Sequence, residues 1–320
     1  MEFSVIVPVY NRPMEIRDLL QSLRQQLFRD FEVIIVEDGS EATCESIVDS
    51  YRDSLSLQYR YIPNQGQGFA RNEGMKLAKA DYLVFFDSDC IIPANYFQDL
   101  RPAIASRKLD AHGGPDAAAW DFSPMQKAMD FAMTSFWTTG GIRGKLRNPA
   151  KYQARGYNMG FSRKVWETVG GFADPNRAED IELSMRIKRA GFRLELVEET
   201  FVYHKRKNTL ASFARQGFSF GRNRVHVSRF QPGAIKAVHL LPLLFVLFLA
   251  SMLVTPFFNP LLFLIQFLLL LAWSAAVITS ALERHKNPII AGLSWVCSVV
   301  QLGAYGLGLG LELLKKWTRG

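Results

Sequence analysis

Cysteine is scarce in this chain of 320 residues: Cys44, Cys90 and Cys297 are scattered along it and offer no disulfide framework. That excludes a disulfide-stapled secreted scaffold and agrees with a reducing compartment. Acids are missing between residues 201 and 236, where Lys205, Arg206, Lys207, Arg215, Arg222, Arg224 and Arg229 stand among Phe213, Phe218, Phe220 and Val227. Such a stripe suits an amphipathic segment on an anionic membrane face, each cation contributing about 1 kcal/mol near the surface. It equally suits a grip on a diphosphate or a lipid-linked phosphate. Charge of either sign is missing from residues 240–258, 261–282 and 289–311. Each run approaches the ~20 apolar residues that cross a bilayer core. Residues 1–9 do not read as a signal peptide, and internal repeats and low-complexity tracts are absent. The net charge of +8 has a sufficient explanation in lipid headgroups, so no nucleic acid is expected as a partner.

What is present begins at the amino end. Phe3-Ser4-Val5-Ile6-Val7-Pro8-Val9-Tyr10-Asn11 is an apolar run that reads as a buried, parallel-type strand. A helix is predicted over residues 13–26, with Pro13 in the first turn and Ile16, Leu19, Leu20 and Leu23 on one face. Phe31-Glu32-Val33-Ile34-Ile35-Val36 reads as a second strand, closed by Glu37-Asp38-Gly39-Ser40. The pattern continues with a helix near 43–51, a strand near 57–62, a glycine turn at 66–68 and a helix over 69–78. A last strand, Tyr82-Leu83-Val84-Phe85-Phe86, delivers Asp87-Ser88-Asp89. Strands alternating with helices predict an α/β fold with a mostly parallel sheet, whose ligands bind beyond the carboxyl ends of the strands. Asn11, Asp38 and Asp87 all sit at such ends. Two carboxylates at a strand mouth suit a Mg or Mn ion that shares its oxygen ligands with substrate phosphates.

Five motifs, V-I-V-P-V-Y-N-R, V-E-D-G-S, G-F-A-R-N-E-G, F-F-D-S-D and A-E-D-I-E-L-S-M-R-I-K-R-A-G, resemble in order and spacing the signature of family 2 glycosyltransferases. The likeness covers residues 3–204. It implies a GT-A fold, Rossmann-like with flanking helices, a UDP- or GDP-sugar donor, a Mg or Mn ion on its diphosphate, and inversion at the anomeric carbon. It places Pro8, Tyr10 and Asn11 against the nucleotide, Asp38 on the base and Arg71 near the nucleotide. In Asp87-Ser88-Asp89 it assigns Asp87 to the ribose side, Ser88 to a spacer and Asp89 to the metal. Asp87 and His204 are further candidates for the metal. Asp180 is the implied catalytic base, with Glu179 as its understudy. Glu37 stands where the family pattern has its first Asp, which leaves its role open, and Cys90 reads as a packing residue because hard cations have no preference for thiolate.

Residues 1–207 are therefore predicted as the GT-A domain, 208–236 as a basic interfacial segment and 237–320 as a membrane module of about three spans. Within 117–155, Gly140, Gly141, Lys145, Arg147, Lys151 and Arg155 suit a mobile, cationic acceptor loop. The basic flank before the first span predicts a cytoplasmic catalytic domain at the inner membrane. Three spans, however, would put Lys315, Lys316 and Arg319 on the far side from Arg284 and Lys286, against the positive-inside rule, so one segment that is re-entrant or interfacial is the alternative. The expected activity is sugar transfer to a lipid-linked saccharide; transfer to a polyprenyl phosphate and a non-catalytic nucleotide-binding membrane scaffold are the competing readings. Membrane lipids are expected partners, and a homo-oligomer is left open.

Overall fold

The computed structural model describes residues 1–117, 122–140, 148–173, 178–204, 209–231 and 233–319. Gly141, Lys145, Arg147, Lys205, Arg206 and Lys207 lie outside the described residues. The chain forms two compact units, Met1–Ala119 with Gly144–Lys205, and Trp120–Arg143 with Arg206–Gly320.

The first unit is α/β. Its strands are β1 (Phe3–Val9), β2 (Phe31–Asp38), β3 (Leu57–Ile62), β4 (Tyr82–Phe86), β5 (Cys90–Ile91), β6 (Ala111–Gly113), β7 (Asp116–Ala117), β8 (Asn158–Ser162), β9 (Leu194–Leu196) and β10 (Val202–His204). Seven of them form a sheet in the order β3-β2-β1-β4-β8-β6-β9, and β5-β10-β7 form a second. The pairs among β3, β2, β1 and β4 are parallel, whereas β8 runs antiparallel to both β4 and β6. Helices α1 (Pro13–Arg24), α2 (Glu45–Asp49), α3 (Gln67–Leu77), α4 (Tyr96–Arg107), α7 (Arg163–Val169) and α8 (Glu179–Arg189) complete the unit. Successive strand side chains point to opposite faces, so β1 serves two cores. Phe3, Val5, Val7 and Val9 pack with Leu19, Leu20 and Leu23 of α1, while Ile6 packs with Ala70 and Met75 of α3 and Leu183 and Ile187 of α8. Burial on both faces is why β1, β2 and β4 are near-continuous apolar runs.

The second unit is helical: α5 (Pro124–Thr134), α6 (Phe136–Thr139), α9 (Leu210–Phe230), α10 (Leu241–Ser251), α11 (Thr255–Phe258), α12 (Pro260–His285) and α13 (Pro288–Arg319). Ser123 and Gln126 form a capping box at the start of α5. The stretch 117–155, assigned from sequence to an acceptor loop of the first domain, thus contributes α5 and α6 to this unit. The expected first span is divided into α10 and α11 by a turn at residues 252–254, with Pro256 in the first turn of α11 and Asn259 capping α12. Among the described residues two helices, α12 and α13, are long and apolar enough to cross a membrane.

Candidate functional site

The carboxyl ends of β1, β2 and β4 carry Asn11, Asp38 and Asp87, and local hydrogen bonding decides what each faces. Asn11 follows β1 with φ +52°. Its N–H donates to Ser40 Oγ at 2.8 Å, and its Oδ1 accepts from the Glu41 N–H at 2.9 Å. Asparagine tolerates this left-handed conformation better than most residues. Pro8 is buried, and Tyr10 stands exposed beside the turn. At the end of β2 the Asp38 carboxylate accepts the N–H groups of Gln65 and Gly66, both at 2.8 Å. It thereby holds the loop that enters α3. Glu37, buried, accepts from the Ser40 hydroxyl, the Cys44 N–H at 2.8 Å and the Tyr59 hydroxyl at 3.2 Å, and ties together the loop after β2.

Arg71, expected near the nucleotide, has its guanidinium buried, where it links two acids. Nη2 donates to Asp87 Oδ1 at 2.7 Å and Nη1 to Glu179 Oε1 at 2.8 Å. The Phe172 ring lies 5.4 Å from its Cζ. Gly156 makes room for it, since a Cβ built there would lie 2.6 to 2.9 Å from three guanidinium atoms. Gln67 donates a second bond to Glu179 Oε1 at 2.7 Å. Burial pushes the Glu179 carboxyl up, the Arg71 charge pulls it back and Asp180 adds to the rise, with a net upward shift. Asp180 stands next to it at the start of α8, half-buried, accepting the Gly156 N–H at 3.2 Å through Oδ2 and the Ile181 N–H at 2.7 Å through Oδ1. An acid in this first turn also complements the helix dipole.

Asp89 belongs to a different cluster. The pairing of β5 with β10 sets His204 opposite Cys90 and brings His204 Nε2 within 3.1 Å of Asp89 Oδ1. On its other side His204 has Asp116 Oδ2 3.9 Å from Nδ1, and its ring lies on Tyr157 at 4.8 Å. The second oxygen of Asp89 is paired with the Arg12 guanidinium. Burial alone would raise the Asp89 pKa; the hydrogen bond and charge of His204, followed by Arg12, outweigh it and hold the carboxyl well below the usual range. Ser88, between the two acids, is buried.

Asp89, Cys90 and His204 are the group among the described residues whose ligand atoms lie close enough to share one ion. Asp89 Oδ1 is buried, and a gap near 3 Å is the spacing of two adjacent ligands on an octahedral ion with bonds of about 2.1 Å. The oxygen and imidazole donors therefore fit Mg or Mn. Cys90 does not, because burial keeps its thiol protonated and it donates to the Tyr157 carbonyl. Asp87, a metal candidate from sequence, stands outside this group and is committed to Arg71. Arg12, Gln67, Asp116 and Tyr157 were not singled out. Arg12 was within reach of a sequence reading, as the last residue of the first motif; the others are brought in by tertiary pairing that no local pattern announces.

The model of glycosyl transferase family 2 matches residues 4–170. The chain belongs to this family. Among curated members, the poly(ribitol-phosphate) beta-N-acetylglucosaminyltransferase TarS of Staphylococcus aureus is 39% identical over 116 residues, 35% of this chain and 19% of TarS. The validoxylamine A glucosyltransferase of Streptomyces hygroscopicus is 35% identical over 119 residues, 36% of this chain and 26% of that protein. The matched region is thus a minor part of either relative. Among solved structures, the mannosyltransferase PcManGT of Pyrobaculum calidifontis, in complex with GDP-Man and Mn2+, aligns with a TM-score of 0.60 at 19% identity, covering 98% of this chain and 88% of that one. S. aureus TarS 1-349, in complex with UDP-GlcNAc, aligns with 0.51 at 19% identity, covering 98% and 92%. At such identity the likeness establishes the fold, and the α/β unit of this family 2 member is GT-A.

Proposed function

We propose that the protein is a membrane-bound, inverting glycosyltransferase that moves a sugar from a UDP- or GDP-sugar to a hydroxyl of a lipid-linked saccharide at the cytoplasmic face of the inner membrane. The observation that carries this reading is the meeting of Asp89 and His204 at the mouth of the sheet, with Asp180 in the same α/β unit at the start of α8. Asp89 and His204 would hold Mg or Mn, which when bound offsets the charge that gathers on the leaving diphosphate. Pro8, Tyr10 and Asn11 would line the nucleotide, and Asp87 the ribose. Arg71 holds Asp87 and Glu179 in place. Asp180 takes the proton of the acceptor hydroxyl as its oxygen attacks the anomeric carbon. A single displacement of this kind inverts the configuration. Glu179 is sealed by Gln67 and Arg71, which favours Asp180 as the base.

The nucleotide sugars bound by PcManGT and TarS support a donor of that class. The uncharged length of α12 supports a membrane anchor and hence a lipid-borne acceptor. Sugar transfer from a panel of UDP- and GDP-sugars to membrane lipid extracts, with Mn or Mg, tests the reading. Asp89→Asn is expected to abolish metal-dependent turnover, and Asp180→Asn to lower kcat by about 100- to 10,000-fold while donor binding persists. An Asp180→Asn protein with full activity would point to a phosphate acceptor, which needs no strong base. No turnover by the wild type, with donor bound normally by both variants, would leave a nucleotide-binding scaffold.

A further inference from the structure

Within the helical unit, the two long apolar helices have different surroundings. In the most apolar window of α12 only 11% is buried, against 44% for α13. The cationic helix α9 covers α13, running beside it in the same direction, while α5 and the bases of α10 and α12 pack on its other sides. Phe213 packs with Cys297, Gly221 meets the Tyr305 carbonyl and Gly308 the Phe218 carbonyl. Further along, Arg222 and Arg229 reach Glu312 at 3.4 and 3.0 Å, and Lys316 donates to Ser228 at 3.2 Å. Along this contact α9 keeps Arg215, Arg222 and Arg229 exposed, spread over about 21 Å of helix. A crossing α13 would carry these guanidiniums through most of a hydrocarbon layer about 30 Å thick, where cations are rare and costly.

The hairpin of α10, α11 and α12 has the opposite character. Residues 237–282 include no Asp, Glu, Lys or Arg. Its polar side chains satisfy one another: Gln266 donates to Ser251 and accepts from Thr255, both at 2.8 Å. Phe245 lies on Trp273 at 5.2 Å, so α10 folds back along α12 and leaves Leu253, Val254, Phe257 and Phe258 exposed at the tip. At the base Trp273 donates to the Trp137 carbonyl at 3.0 Å, and Trp295 donates to Ser274 at 2.9 Å. Beyond these indoles along α12, Arg284 pairs with Asp130 at 2.7 Å. Tryptophans followed by charge mark a headgroup plane.

We propose that the α10–α12 hairpin is the part that enters the bilayer, and that α13 with α9 lies on the face from which the hairpin enters, against anionic headgroups. Both ends of α13 then share one aqueous side. This replaces the three-span reading and removes its conflict with the positive-inside rule, because Lys315 and Lys316 return to the side of Arg284 and Lys286. The inference rests on the helical unit alone and stands or falls independently of the chemistry proposed above.

The test uses the full-length protein in spheroplasts and in inverted membrane vesicles. Glu283→Cys and Lys315→Cys each replace an exposed residue, and the native cysteines are buried. A membrane-impermeant maleimide is expected to label both variants in the same one of the two preparations. Labelling of the two from opposite sides overturns the proposal. Where a cysteine variant fails to insert, protease cleavage at a site inserted between Lys286 and Asn287, ahead of α13, and removal of a tag after Gly320 give the second reading. Digestion from one side supports the proposal, and digestion from opposite sides refutes it.

Discussion

Arg71→Met removes the cation that two acids share. Its side chain is 1% exposed, that of Glu179 4% and that of Asp87 27%. Water can reach Asp87 in part, so the loss falls mainly on Glu179, left as a buried carboxylate beside Asp180. Breaking a buried ion pair from one side costs about 3–5 kcal/mol, and the partial exposure of Asp87 sets the expectation at the lower end, about 3 kcal/mol. That corresponds to about a hundredfold rise in the opening constant of the surrounding strands. Hydrogen exchange of the β1 and β4 amides reads it without requiring the two units to unfold together. The sign with pH is fixed. Without Arg71 the already raised Glu179 carboxyl moves further up, so the penalty is largest at neutral pH and shrinks as acid protonates the group. Adding Glu179→Gln should restore part of the loss. Unchanged exchange in Arg71→Met, or no recovery in the double variant, would refute the account of Arg71 as the clamp between Asp87 and Glu179.

Three other outcomes follow from the same packing. Gly156→Ala should destabilise the α/β unit by about 1–3 kcal/mol, read by the same exchange, because the new methyl meets a guanidinium pinned at both ends. His112, buried between Tyr82 at 3.0 Å and Tyr96 at 3.1 Å, has its pKa pushed down to about 3 by burial, so the folded protein keeps it neutral. The stability this group contributes is complete above about pH 6.5 and is lost as pH falls from there towards 3, by up to about 1.4 kcal/mol per pH unit; His112→Gln should flatten that slope in denaturant titrations. Arg12→Gln frees an oxygen of Asp89 from its counter-charge and is expected to tighten Mn2+ binding severalfold in the absence of donor, measured by electron paramagnetic resonance; weaker binding would show that Arg12 does not compete with the cation.

Much of the α/β unit was legible because its signals are local. Apolar runs bounded by Pro8 and by Gly39 mark β1 and β2, and the spacing of Ile16, Leu19, Leu20 and Leu23 marks α1. The acids at strand ends followed from the same reading, and Asp89 and His204 do meet. Direction was harder to read than position. Asp38 was placed at its strand end and Arg71 on its helix, but no pattern tells that the one spends both oxygens on the N–H groups of Gln65 and Gly66, or that the other turns inward to Asp87 and Glu179. In the helical unit hydropathy saw three apolar runs of similar strength. The turn at residues 255–260 was legible, but not the division of the first run at residues 252–254, nor that α9 packs on the third, since a window average carries no information on neighbours.

The strand pair β5–β10 has a consequence for biosynthesis. Cys90 and His204, facing each other across it, are separated by more than a third of the chain, and His204 closes the last strand of the α/β unit. A nascent chain on the ribosome can build β1 to β4 early, as amino-terminal parts do during synthesis. It lacks the imidazole that faces Asp89 until almost the whole α/β unit has left the exit tunnel. The pairing of Asp89 with His204 is therefore finished only as the basic helix α9 and the uncharged hairpin follow it out.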